Sequence, residues 1–152
     1  LEVVTETARV LLTAAVLSAV ALNTFTWRLT RVGRAPHEYL IDQLKLSQWA
    51  ALLLASTGAI GIGMGVATSL APQAPVEVAA GLVTIGASLL VLRREPATAL
   101  LVVALLLVLH ALFDWAHRPG LLAVPFVPQW WSMGHAIYDV YLAALCLVAS
   151  RR

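Results

Sequence analysis

The sequence predicts an all-α integral membrane protein of five transmembrane helices, with its N-terminus outside and its C-terminus in the cytoplasm. Three observations lead there. Hydrophobic residues fill 61% of the 152 positions and charged residues only 12%, with a mean hydropathy of +0.86; a soluble domain of this size has too little interior to bury so much apolar surface. The apolar residues fall into five runs, each matched to a hydrocarbon core about 30 Å thick. Eight of the ten Lys and Arg residues collect in alternate connections, as the positive-inside rule requires. The whole chain, 1–152, reads as a single transmembrane helical domain with spans at about 10–27, 46–71, 76–92, 97–117 and 130–150.

The first span opens after a short, acidic-leaning segment, LEVVTETAR, and runs from Val10 to Trp27. Ala19-Val20-Ala21 resembles a signal-peptidase site, but two glutamates against one arginine ahead of it make a poor leader, and the segment reads as a retained helix. Arg28, Arg31 and Arg34 follow. Pro36 then sets φ for a helix start, and Glu38, Asp42 and Lys45 make residues 36–45 the polar end of a long second helix, with an interfacial amphipathic turn as the rival reading. Within that helix Gly58, Gly61 and Gly65 share a face, Gly61 and Gly65 forming GxxxG, which lets backbones approach closely. The face predicts packing within the chain ahead of a homo-oligomer or another membrane partner. Ala71-Pro72-Gln73-Ala74-Pro75 is a turn. In the third span Glu77 falls in the first turn, where the helix dipole favours it, a part in a polar site being the lesser reading. Arg93-Arg94 end that helix and Pro96 starts the fourth. Arg118-Pro119-Gly120 stops it, Leu121 to Gln129 form an apolar loop, and the fifth span closes at Arg151-Arg152.

On this topology eight basic residues are cytoplasmic and only Arg9 and Arg118 are external. The membrane implied is the cytoplasmic (plasma) membrane. Short basic clusters beside apolar spans give no nucleic-acid surface, and the lone Cys146 excludes an intramolecular disulfide or a multi-cysteine metal site.

Chemistry concentrates where spans four and five meet. In LHALFDWAH, residues 109–117, His110, Asp114 and His117 lie within roughly 60° on one helix face, and His135 and Asp139 echo them on the next helix. Ionisable groups inside a membrane helix are costly and default to function. Aligning the outer ends of an antiparallel hairpin sets His135 between Asp114 and His110 in depth, all three within roughly 6 Å along the membrane normal at about 1.5 Å per residue. His117 lies about 10.5 Å above His110. The best single-ion set is therefore His110, Asp114 and His135, with Asp139 orienting an imidazole behind it and His117 a further supporting residue at the headgroup rim. Two imidazoles and a carboxylate suit a divalent transition metal such as zinc or iron, with a position open for water or substrate. No hallmark spacing such as HExxH is present.

Two function classes compete with an outward-facing metal site for catalysis or metal handling. One is a non-enzymatic accessory or assembly subunit whose His/Asp pairs hold helices together. The other is a component of proton- or ion-coupled transport, since His titrates near neutrality. Trp115, Trp130 and Trp131 read as an outer aromatic belt, with a stacking site for lipid or quinone as the lesser alternative. Tyr138 and Tyr141 can offer hydroxyls to the site or satisfy a neighbouring helix.

Overall fold

The structure is a computed structural model that describes residues 2–31, 35–67, 72, 74–117 and 129–151. Five helices follow in chain order: α1 (Glu2–Thr30), α2 (Pro36–Ala67), α3 (Ala74–Val91), α4 (Pro96–Ala116) and α5 (Gln129–Ser150). All five contain a segment long and apolar enough to cross a membrane, and no strand occurs among the described residues. The expected apolar loop before α5, together with Arg34, Arg118 and residues 68–71 at the end of the expected second span, lies outside the described residues.

Prolines set two of the starts. At Pro36 the carbonyl of Ala35 accepts from the amides of Glu38 and Tyr39; at Pro96, Glu95 is the capping residue and its carbonyl accepts from Ala99. The segment 36–45 is continuous with the rest of α2, so the second helix is 32 residues long, roughly 48 Å, well beyond a hydrocarbon core of about 30 Å. The interfacial-turn alternative therefore falls away.

Cross-helix contacts give the helix directions. Gly58 meets Gly81 and Gly65 meets Ala74, which runs α2 against α3. Glu77 meets His117, His110 meets Asp139 and His135 meets Asp114, so α3, α4 and α5 also alternate. Ser18 bonds Tyr138 and Asn23 bonds Tyr141, which sets α1 parallel to α5. At the opposite end of the bundle from Glu77, the Gln43 amide donates to the carbonyl of Ala149 at 3.0 Å.

The core is a seam of Leu46, Leu54, Leu100, Val103, Leu107 and Leu142 with alanines between them. Outward faces are apolar as well, Leu12, Val83, Leu105 and Ile137 each being more than half exposed, which suggests contact with a lipid bilayer. Since lipid offers no hydrophobic drive for helix association, close packing has to supply it. The α2/α3 crossing does so through Gly58 and Gly81. A Cβ on Gly58 would stand 2.7 Å from the Gly81 carbonyl oxygen, and one on Gly65 would stand 2.9 Å from that of Ala74. Gly61 is looser than its place in GxxxG suggests, its nearest neighbour being the Glu77 carbonyl oxygen at 3.6 Å. The glycine face of α2 is thus occupied by α3 of the same chain.

Candidate functional site

Each of α4 and α5 presents two functional side chains four residues apart, the spacing that puts them on one face. Antiparallel packing of the two faces produces a quartet. His110 Nδ1 donates to Asp139 Oδ2 at 2.7 Å, and His135 Nδ1 donates to Asp114 Oδ2 at 2.7 Å. The pairs are joined along α4, where His110 Nδ1 and Asp114 Oδ2 are 3.5 Å apart. An ionised carboxylate only accepts, so the ring proton sits on Nδ1 in each histidine and the Nε2 lone pair remains for another partner.

Ring contacts hold these orientations. The two imidazoles meet edge to face with centroids 5.2 Å apart, and Trp131 stacks on His135 at 5.4 Å and 15°. Asp139 is fully buried, and its second oxygen, Oδ1, has no hydrogen-bond partner among the described residues. A buried carboxylate oxygen left so is costly and calls for a proton or a cation.

One donor atom from each of His110, Asp114, His135 and Asp139 can be chosen so that all four lie within 4.8 Å of one another. Around a tetrahedral ion with bonds of about 2.0–2.2 Å, ligand atoms stand roughly 3.3–3.6 Å apart. Closing the quartet on an ion therefore requires side-chain movements of about one ångström, within reach of rotamer adjustment. This His/Asp cluster could hold a metal ion.

His117 stands apart from the four converging residues, as its depth on α4 implies, but it is buried where the sequence reading set it at the headgroup rim. Its Nε2 faces Glu77 Oε1 at 2.5 Å and its Nδ1 donates to the carbonyl of Phe113 at 2.9 Å. Glu77 does occupy the first turn of α3, but its side chain is also buried and its partner is this imidazole. The hydrogen bond that Glu77 accepts holds the His117 pKa above the usual histidine value; burial opposes this, and the Glu77 charge, the Phe113 carbonyl and Asp114 reinforce it. The physical reason for the difference is the α3/α4 packing, which brings the start of one helix onto the end of the other.

Sequence reasoning missed this second pair because nothing local to Glu77 announces its neighbour. The Trp131 stack was legible in principle, since positions 131 and 135 are one helical turn apart. Tyr138 and Tyr141 turn away from the quartet to bond Ser18 and Asn23 of α1. The chain gives no significant match to a protein-family model, to a curated protein or to a solved structure.

Proposed function

We propose that this chain is a cytoplasmic-membrane protein that binds a divalent transition metal, zinc or iron(II), in the outward-facing half of the bilayer. His110, Asp114 and His135 are the ligands and Asp139 the carboxylate that orients His110. The reading rests on one observation: four donor side chains from two helices converge within 4.8 Å in a setting where each unpaired polar group is expensive. The His110 imidazole is already steered by the Asp139 carboxylate on Nδ1, the arrangement that fixes tautomer and raises ligand basicity in metal sites; His135 Nδ1 is bonded to Asp114, so one of these two side chains turns when both ligate the same ion. The unpartnered Oδ1 of Asp139 adds a negative centre that a cation satisfies. Three protein ligands leave a coordination position for water or substrate, which suits hydrolytic or Lewis-acid chemistry as well as metal transfer.

The outward placement follows from charge. Arg28, Arg31, Arg93, Arg94 and Arg151 lie at or just beyond the C-terminal ends of α1, α3 and α5, and Arg9 lies near the other end of α1; the positive-inside rule puts the arginine-rich end in the cytoplasm and the quartet toward the other face.

Metal content of the purified full chain, measured by elemental analysis, tests the proposal. The expected result is one equivalent of zinc or iron per chain, lost in His110→Ala and in His135→Ala. Equal metal content in wild type and both variants overturns it. A second reading is favoured by the three imidazole–carboxylate pairs, each hydrogen-bonded without an ion: an accessory subunit in which these pairs staple α3, α4 and α5. It predicts that Asp114 and Asp139 substitutions lower thermal stability equally with and without a chelator.

A further inference from the structure

A cavity of about 580 Å³ lies beside the quartet, between α1, α2 and α5. Leu11 and Ala15 line it from α1, Leu53 and Ile60 from α2, and Gly134 and His135 from α5. His135 thus belongs both to the quartet and to the cavity wall. We propose that this cavity binds a single-chain amphiphile from the bilayer and presents its uncharged oxygen head group to His135 and the metal position. This rests on the metal reading above and adds to it the class of ligand.

Size and lining point to a ligand rather than a packing gap. The volume falls within the range of ligand pockets, about 300–1,000 Å³, and the walls follow the usual plan of mostly apolar surface with a few placed polar groups. The polar groups include His135 and, one turn further along α5, the Tyr138 hydroxyl bonded to Ser18 of α1, with Ser56 and Thr57 on the α2 wall and the Trp130 and Trp131 indoles on α5. From Trp130 to Tyr138 the lining of α5 covers roughly 12 Å of helix, most of the ~15 Å hydrocarbon depth of one leaflet. Two of its lining residues, Leu12 and Ile60, are exposed, so the cavity opens on the apolar surface that lipid would cover. A ligand reaching it comes from the membrane.

The head group follows from the quartet. Asp114 and Asp139 would repel an anion, and their oxygens have acceptor capacity to spare. An alcohol both donates and accepts, so it can bond a carboxylate or an Nε2 lone pair through its proton and offer its oxygen to the metal. A second groove, of about 420 Å³ and lined by Leu112, Trp115, Ile137 and Val140 among others, carries no such polar end. It serves as an internal control for ordinary lipid.

The test uses the full chain in lipid nanodiscs and a long-chain alcohol bearing a photoreactive diazirine in its chain. Labelled peptides are mapped by mass spectrometry in zinc-loaded and chelator-treated protein. The decisive variant is Gly134→Leu. A Cβ at Gly134 meets no atom within 4 Å, so a leucine extends into open space beside His135 without displacing backbone, and it favours the helix. The expected result is saturable labelling of α1 and α5 cavity peptides, stronger with zinc, and competed by the unlabelled alcohol but not by the alkane of equal length. Gly134→Leu should lower that labelling at least about tenfold, a loss equivalent to one decade in affinity, while keeping the wild-type zinc content. Ile137→Ala, in the control groove, should leave it unchanged. Non-saturable labelling, or Gly134→Leu labelled like wild type, overturns the inference while zinc binding stands. Better competition by the matching fatty acid than by the alcohol overturns the head-group assignment. If wild type holds no zinc yet shows saturable labelling that depends on Gly134, the metal reading fails and the cavity remains a ligand site.

Discussion

Replacing Glu77 by glutamine changes one charge in the least expected contact of the bundle. The His117 ring lies between two acceptors, the Phe113 carbonyl at 2.9 Å from Nδ1 and Glu77 Oε1 at 2.5 Å from Nε2. A carbonyl only accepts, so Nδ1 carries a proton; an ionised Glu77 also accepts, so Nε2 carries one too and the ring is an imidazolium. The raised His117 pKa agrees with that assignment. The sign then follows from linkage: a folded pKa above the unfolded value of about 6.5 makes the stabilisation fully present below about pH 6.5 and removes it as pH rises through the folded pKa. In Glu77→Gln the shape is kept. A neutral imidazole can accept from the glutamine amide at Nε2 while Nδ1 still bonds Phe113. What is lost is one charge-assisted hydrogen bond between two buried side chains, worth about 1.5–3 kcal/mol against the cost of burying both charges.

Thermal unfolding of the full chain in a neutral detergent, followed by tryptophan fluorescence between about pH 6 and pH 9, measures this difference. Glu77→Gln should unfold at lower temperature than wild type at the acid end, and the two curves should converge as pH rises. The two proteins differ only at Glu77, so the difference between them, rather than either profile alone, reports on Glu77 and His117; Asp114, the other charge acting on His117, is common to both. Parallel profiles across the range would refute the ion-pair assignment and leave the contact a neutral hydrogen bond.

Three further outcomes are expected. Gly58→Ala should destabilise by about 1–3 kcal/mol, because its Cβ would stand 2.7 Å from a backbone oxygen. Gly61→Ala, with 3.6 Å available, should be neutral or stabilising by up to about 1 kcal/mol, and thermal unfolding of the pair reads the contrast. Asp139→Asn should weaken metal binding roughly 10–100-fold and His117→Ala should leave it unchanged, as titration with a competing chelator would show. Reporter fusions after Arg151 should read as cytoplasmic; an external signal would invert the placement of the quartet.

What the sequence made legible is what helix geometry controls locally. Runs of apolar residues bounded by Pro36, Pro96 and the arginine pairs gave five helices, and a constant rise per residue was enough to match Asp114 with His135 and His110 with Asp139 in depth, because a hairpin of adjacent helices has few ways to pack. Contacts between helices less simply related were not legible. Glu77 and His117 sit forty positions apart, and their meeting depends on how α3 leans on α4. GxxxG pointed to Gly61, yet the tightest approach is at Gly58 because its partner is Gly81, a glycine whose register against α2 no local pattern records. The cavity belongs to three helices at once, so no stretch of sequence could announce it.

The placement of polar groups also explains why the cavity is where it is. The helices α3, α4 and α5 are tied by imidazole–carboxylate pairs, and α2 is held to α3 by glycine-mediated backbone approach. By contrast, α1 is joined to α5 through hydroxyl and amide contacts at Ser18 and Asn23. In lipid, helix association depends on such contacts and on close packing, with the hydrophobic effect contributing little between helices. A helix held at Ser18 and Asn23 need not close on its neighbours at Leu11 and Leu12, one to two turns nearer its start, and that is the level at which the cavity opens beside His135. Strengthening this end, by cross-linking a cysteine at Leu11 to one at Trp130, should therefore shut amphiphile access while the quartet, built wholly from α4 and α5, keeps its metal. The ligand route and the metal site lie in different parts of the bundle, and His135 is where they meet.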